Sequence, residues 1–286
     1  GPSGLACAKH LLQVGLRNFV VYEKNHDVGG NWLYSPTPGH SSAYVSLCAI
    51  TSKRMSAYED FPMPADYPEY PSHDLLLAYF RAYARRFGLY DFIRFHTEVR
   101  QVTPTDGDRW QVTLADGTTE TFDYVLVASG HHWDPYVPAW DGAFGGTFLH
   151  SHEYREPEPF RGQRVLVIGG GNSACDIAVD VSRVARFTAI SMRRGYHVIP
   201  KFVFWGLPAD VLYARLQVIP RPVRQRFIRL ALWLLVGSPQ RYGLLKPDHD
   251  VFQTHPIINS ELLYCIRHGR IHPRRDVRRF DGSRVH

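Results

Sequence analysis

The chain has 286 residues, 44% of them hydrophobic and 21% charged, with a net charge of +6 at neutral pH. That length accommodates two domains with buried cores, and that balance excludes a disordered or fibrous chain. Lysine and arginine are interleaved with acids until the tail RHGRIHPRRDVRR. The positive charge therefore reads as a solvated surface that favours anionic ligands, not as a nucleic-acid groove.

Cys7, Cys48, Cys175 and Cys265 stand far apart, with no CxxC and no metal spacing. They read as reduced, mostly buried thiols of a cytoplasmic protein without a metal site. The most apolar run, LALWLLVG from Leu230, is about eight residues against the roughly twenty that a membrane span needs.

The opening stretch GPSGLACAKHLLQVGLRNFVVYEKN reads as a loop, a helix over residues 5–14, a strand over Asn18 to Tyr22, and then an acid, Glu23. This is the order of a dinucleotide-binding unit without its first strand, so the sequence reads as an internal piece of a longer protein. In the fingerprint G-x-G-x-x-G, Gly1 and Gly4 would be the second and third glycines. Glu23 falls where a carboxylate takes the ribose hydroxyls.

From Ser72, a plausible N-cap, Leu75, Leu76, Tyr79, Phe80, Tyr83 and Phe87 repeat at helical spacing, and Gly88 ends the helix. Three short strands follow, TEVRQVT, RWQVTLA and TFDYVLVA, with DGD and ADG turns between them. The third is expected to be a buried apolar strand leading into Ser129 and Gly130.

The most informative segment is RVLVIGGGNSACDIAVDVSRVARFTAISMRRG. Val165 to Ile168 form an apolar strand, Gly169 to Ala174 fits G-x-G-x-x-A through Gly169, Gly171 and Ala174, and Cys175 to Val184 carry a helical pattern. Asn172 and Ser173 stand where the helix opens, at a place suited to a pyrophosphate. The next strand, Phe187 to Ile190, ends in Ser191-Met192-Arg193-Arg194. A ribose 2′-hydroxyl calls for a carboxylate there, whereas a 2′-phosphate calls for a guanidinium. The chain thus contrasts an FAD-type site at Glu23 with an NADPH-type site at Arg193 and Arg194, and two such sites imply hydride traffic between FAD and NADPH.

Between the two units lies FGGTFLHSHEY, which fits F-x-G-x-x-x-H-x-x-x-Y through Phe144, Gly146, His150 and Tyr154. In this, and in the stretches Gly29-Gly30-Asn31-Trp32, Asp60-Phe61-Pro62-Met63-Pro64 and Ser129-Gly130-His131-His132, the chain resembles the flavin-containing monooxygenases. The resemblance implies an α/β fold of two Rossmann-like dinucleotide-binding domains with a small β-meander. Residues 1–152 would be the first part of the FAD domain, 153–275 an NADPH domain with a helical insertion at about 203–245, and 276–286 the start of a return to the FAD domain. Gly30, Asn31 and Trp32 would lie along the flavin, and His150 and Tyr154 would brace the domain joint. Lys246-Pro247-Asp248-His249 and His255-Pro256 with Asn259-Ser260 resemble a stretch of bacterial members that returns toward the active site.

The implied chemistry is NADPH- and FAD-dependent monooxygenation: a flavin C4a-hydroperoxide passes one oxygen atom of O₂ to a small-molecule soft nucleophile, an amine nitrogen or a sulfur. Baeyer–Villiger oxygenation of ketones, an NADPH oxidase releasing H₂O₂, and a catalytically silent nucleotide-binding flavoprotein stay open beside it. Ile50 stands where the family usually places an asparagine next to flavin and oxygen. With Ile50 there, the donor of that contact would have to be Thr51 or Ser52. The insertion is apolar enough to cover a substrate entrance or to make peripheral membrane contact.

Overall fold

A computed structural model describes residues 1–37, 39 and 41–286. The helices are α1 (Pro2–Gln13), α2 (Lys53–Ser56), α3 (His73–Arg86), α4 (Asn172–Val181), α5 (Ala209–Arg215), α6 (Arg221–Val236) and α7 (Leu262–Arg267). The first five strands are β1 (Val21–Tyr22), β2 (Ile93–Arg94), β3 (Val99–Thr105), β4 (Arg109–Leu114) and β5 (Thr119–Phe122). There follow β6 (Arg164–Ile168), β7 (Phe187–Ser191), β8 (Val198–Ile199), β9 (Phe202–Val203), β10 (Leu207–Pro208), β11 (Ile257–Ile258), β12 (Ile271–Arg274), β13 (Phe280–Asp281) and β14 (Arg284–Val285). The chain divides into two compact units, Gly1–Ala43 with Ser72–Pro135, and Tyr44–Pro71 with Tyr136–His286.

In the first unit α1 begins at Pro2, whose missing N–H and fixed φ suit the first helical turn. The expected strand over residues 18–22 is reduced to β1, because only Val21 and Tyr22 find parallel partners, on β2. α3 starts after Ser72 and buries Leu76, Leu77, Tyr79, Phe80, Tyr83 and Ala84, the helical stripe read from the sequence. It ends where Gly88 takes a left-handed φ of 63°. β3, β4 and β5 form the antiparallel meander.

The expected buried strand at the end of the meander is not formed. Over residues 123–128 the backbone has no ladder partner among the described residues, and Tyr124 and Val127 are 88% and 82% exposed. An apolar run becomes a strand only where neighbouring backbone pairs with it.

The second unit is built on a parallel sheet in the order β12-β7-β6, with α4 joining β6 to β7. β7 lies in the middle and is buried from Thr188 to Ser191. The core combines Cys175, Ala178 and Val179 of α4, Ile190 and Met192, Ile257, Leu262 and Cys265 from around α7, and Ile271 of β12. Parallel strands need both faces covered, which explains the near-continuous apolar reading of β6 and β7. β8 pairs in parallel with β11, and β9 with β10 makes a short hairpin that opens the insertion. α5 and α6 supply the helices expected there. Of the thiols, Cys175 and Cys265 are buried, Cys48 is half-buried and Cys7 is exposed.

Candidate functional site

The second glycine turn has the geometry of a phosphate cradle. Gly169 has φ +138°, which a side chain would resist, and Gly170 lies against Tyr196 so closely that a Cβ would stand 2.2 Å from the ring. Gly171 caps α4 without a side chain, which leaves the first backbone N–H groups of a ten-residue helix available to an anion. Asn172 turns its amide the other way: Oδ1 accepts from Ile258 N at 2.7 Å and Nδ2 donates to the Pro256 carbonyl at 3.2 Å. Its side chain therefore braces the β11 strap, while its backbone and that of Ser173 remain at the helix opening.

At the end of β7, Ser191 and Met192 point inward and Arg193 and Arg194 outward. The Ser191 hydroxyl donates to the Arg275 carbonyl at 2.7 Å, so its proton holds the neighbouring strand's extension. The Arg194 guanidinium lies 5.2 Å from the centroid of Tyr196, the ring that covers the glycine turn. Tyr196 thus connects the glycine turn to the cationic end of β7. The arrangement fits a dinucleotide carrying an additional phosphate on its ribose.

Behind the turn, α4 carries two sheltered carboxylates that sequence reasoning missed. Asp180, 5% exposed, accepts from Tyr154 Oη at 2.7 Å and from Ser46 Oγ at 2.8 Å. Asp176, one turn earlier, accepts from Asn259 Nδ2 at 2.6 Å and from Tyr44 Oη at 3.1 Å. Asn259 Oδ1 in turn accepts the N–H groups of Glu261 and Leu262 at the start of α7. Burial raises the Asp176 carboxyl above the usual carboxylate range, although the bonds from Asn259 and Tyr44 and the Lys201 ammonium act the other way. Burial and the nearby carboxylates push both tyrosine hydroxyls upward, so they stay protonated donors. The available signal was two acids at i, i+4 on a helix whose other residues are mostly apolar.

The F-x-G-x-x-x-H-x-x-x-Y stretch is placed as follows. Gly146 passes the Phe144 ring, where a Cβ would stand 2.8 Å away. His150 is half-buried, and its Nδ1 accepts from His152 N at 3.0 Å. Tyr154 is buried among Tyr44 and Phe160, with its hydroxyl on Asp180.

In the first unit, Gly30 has φ +56° and approaches Gly1 so closely that a Cβ on Gly30 would lie 2.9 Å from Gly1 Cα. Gly29 is equally constrained by Leu77. Gly4 faces Ala128 at ordinary contact distance. Asn31 Oδ1 accepts from Ser42 N and Oγ at 2.9 and 2.8 Å, fixing the turn that carries Trp32. Glu23 follows β1; its Oε1 accepts from Asn25 N and Nδ2, both at 3.1 Å, and its Oε2 takes the Gly1 nitrogen at 3.3 Å. A carboxylate held at a strand end beside a glycine turn fits an adenosine ribose.

Ile50, Thr51 and Ser52 belong to the second unit. Ile50 is half-buried and Thr51 exposed, with Thr51 Oγ1 paired to Ser56 Oγ at 2.6 Å. Ser52 is wholly buried. Among the described residues no group of His, Cys, Asp and Glu could hold a metal ion.

A glycine turn feeding a helix beside an arginine-tipped strand, together with a second glycine turn followed by a strand-end carboxylate, defines a protein of the two-dinucleotide class. The flavin-binding monooxygenase-like family matches residues 1–285, and the chain belongs to that family. It is 36% identical over 311 residues to flavin-containing monooxygenase 5 of Rattus norvegicus, covering 99% of this chain and 58% of that protein. To the N-oxide-forming dimethylaniline monooxygenase 2 of Oryctolagus cuniculus it is 35% identical over 303 residues, covering 99% of this chain and 56% of that protein. The chain thus spans a little over half the length of these relatives. The solved S-allyl-L-cysteine S-oxygenase of Allium sativum superposes with a TM-score of 0.61 at 31% identity, over 68% of this chain and 49% of the other.

Proposed function

We propose that the chain forms the two dinucleotide-binding units of an FAD- and NADPH-dependent monooxygenase that transfers one oxygen atom of O₂ to an amine nitrogen or a sulfide sulfur. The observation that carries the NADPH assignment is the position of Arg193 and Arg194 at the end of β7, beside the Gly169–Ala174 turn, where a carboxylate would select the unphosphorylated ribose. The heteroatom class is supported by the relatives, one forming N-oxides and one oxygenating sulfur.

Bound FAD would supply the redox chemistry, accepting a hydride from NADPH and activating O₂. The residues of the chain bind and orient. The N–H groups opening α4 hold the NADPH pyrophosphate, Arg193 and Arg194 hold the 2′-phosphate, and Glu23 holds the ribose hydroxyls of FAD. Tyr154, through Asp180, fixes the helix from which the pyrophosphate is bound.

The test offers the full-length, FAD-loaded protein a sulfide, a tertiary amine and a cyclic ketone with NADPH. Sulfoxide or N-oxide as the main product supports the reading; lactone as the main product replaces it with Baeyer–Villiger oxygenation. Ile50 favours a second reading, NADPH oxidation with release of H₂O₂, because an apolar side chain offers no donor at its position. Peroxide equal to NADPH consumed, in the presence of saturating sulfide, would establish that second reading.

We also propose that the insertion touches a membrane surface. α6 exposes Val223, Phe227, Leu230 and Leu234 at helical spacing, with Trp233 beside them. Arg224 and Arg226 flank this stripe on the same helix. No helix among the described residues is long and apolar enough to cross a membrane. Flotation with phosphatidylserine-containing vesicles, abolished by Phe227→Glu with Leu230→Glu, is the expected result.

A further inference from the structure

The loop Ala49–Ser52 is clamped from two sides. On one side lies the return segment of the same stretch. Ala49 N donates to the Pro71 carbonyl at 2.8 Å, and Lys53 N to the Glu69 carbonyl at 2.7 Å. Lys53 Nζ donates to the carbonyls of Ala65 and Tyr67 at 2.8 and 2.6 Å.

On the other side lie the two stems of the β9–β10 hairpin. Lys201, before β9, donates from Nζ to the Ala49 carbonyl at 3.1 Å. Asp210, just after β10, accepts the Ser52 N–H on Oδ2 at 2.6 Å and the Val211 N–H on Oδ1 at 2.8 Å. The Lys201 backbone is itself held, because the Tyr70 hydroxyl donates to its carbonyl. Lys201 Nζ also lies 5.0 Å from the Tyr70 ring centroid.

The clamp has a geometric consequence. Ala49 is fixed through its carbonyl and its N–H, Ser52 through its N–H, and Ser52 is wholly buried. Between these anchors stand half-buried Ile50 and exposed Thr51, the latter with its hydroxyl on Ser56 Oγ. Serine at a helix N-cap ordinarily uses its hydroxyl to satisfy a backbone N–H of the first turn. At α2 no such bond is made. The loop is thus held by anchors on its backbone, one of them a carboxylate from 158 residues further along the chain, together with the Thr51–Ser56 hydroxyl pair.

We infer that Asp210, assisted by Lys201, is a positioning residue that holds Ile50 and Thr51 in the register required for oxygen transfer, and so makes the insertion hairpin part of the reaction's coupling apparatus. The inference rests on the reading of Ile50 to Ser52 as the flavin- and oxygen-facing segment. A charged acceptor on a backbone N–H is a strong anchor, and small displacements of a segment near reacting atoms have large kinetic effects.

The experiment uses the full-length, FAD-loaded protein and the variants Asp210→Ala, Asp210→Asn, Lys201→Met and Ile50→Asn. Two quantities are read: amide hydrogen exchange in peptides spanning residues 49–53, and H₂O₂ released per NADPH with saturating sulfide. Asp210→Ala is expected to speed exchange of the Ser52 amide by about tenfold or more, the loss expected for a charge-assisted bond. It should also raise the peroxide ratio, while NADP⁺ affinity stays unchanged. Asp210→Asn, which keeps a carbonyl acceptor, should fall between wild type and Asp210→Ala on both readings, and Lys201→Met should move both in the same direction by less.

Unchanged exchange in Asp210→Ala overturns the clamp. Faster exchange with an unchanged peroxide ratio overturns the functional role of Asp210, provided Ile50→Asn does alter the ratio. If neither Ile50→Asn nor Asp210→Ala alters it, the reading of the segment falls and the inference falls with it. Thermal melts of each variant identify global unfolding, and a variant that melts early is judged through Asp210→Asn instead.

Discussion

The Tyr154 hydroxyl donates to Asp180 Oδ2 at 2.7 Å, joining the last residue of the F-x-G-x-x-x-H-x-x-x-Y stretch to the helix that opens at the second glycine turn. Both partners are buried, and the tyrosine ring packs 5.5 Å from Tyr44 and 5.9 Å from Phe160. Tyr154→Phe keeps that packing and removes only the donor. It should lower stability by about 1–3 kcal/mol, the usual effect of removing one partner of a buried bond to a charged group. NADP⁺ affinity should weaken as α4 loosens, while the preference for NADPH over NADH stays. Urea unfolding and NADP⁺ titration check both; an unchanged midpoint would mean that Ser46 and the Arg183 guanidinium, whose Nη1 lies 3.7 Å from Asp180 Oδ1, hold Asp180 unaided.

Replacement of both Arg193 and Arg194 by alanine should weaken NADPH binding by about tenfold or more and leave NADH nearly unaffected. Both side chains are exposed and so carry little of the fold. Dissociation constants for the two nucleotides decide the matter. Equal loss for both would remove the arginines from the 2′-phosphate site.

Asp176 predicts a pH dependence of definite sign. Burial raises its carboxyl in the folded state, so the folded protein retains that proton to higher pH than the unfolded chain does. Ionisation of Asp176 therefore opposes folding, and its contribution to stability falls as pH rises from about 4, where an ordinary aspartate titrates, through the raised folded value. Asp176→Asn removes this titration. The unfolding free energy of wild type minus that of the variant should become more negative across that window. A difference that grows more positive would mean that the bonds from Asn259 and Tyr44 outweigh burial.

Glu23→Ala should reduce FAD retention in the full-length protein, because the ribose hydroxyls lose a charged acceptor worth about 1.5–3 kcal/mol. The Asn25 amide bonds to Glu23 as well, so the turn after β1 should also become more mobile. Flavin occupancy after gel filtration checks this. Unchanged occupancy would place the ribose elsewhere.

What was legible in the sequence follows from the range of the interactions involved. The Gly169–Ala174 turn and the Ser72–Gly88 helix could be read because strand, glycine and helical stripe are local patterns, set within a few residues. The Asp176 and Asp180 network could not. Its partners Tyr44 and Ser46 lie 132 and 134 residues away, and only the fold brings them to α4. Tyr124–Ala128 carries strand composition without a strand, because pairing requires a neighbour that composition cannot specify. Ile50 stood out as an odd residue at its position, but the anchors on either side of it, Lys201 on the Ala49 carbonyl and Asp210 on the Ser52 N–H, became visible only in the tertiary structure.

The most direct measurement is turnover of the full-length, FAD-loaded protein with NADPH and a sulfide under ¹⁸O₂, counting labelled product, NADPH consumed and peroxide released. The expected product is sulfoxide carrying one ¹⁸O atom, with labelled sulfoxide and peroxide together matching NADPH. NADPH consumption with peroxide alone, or no NADPH consumption under flavin saturation, would contradict it.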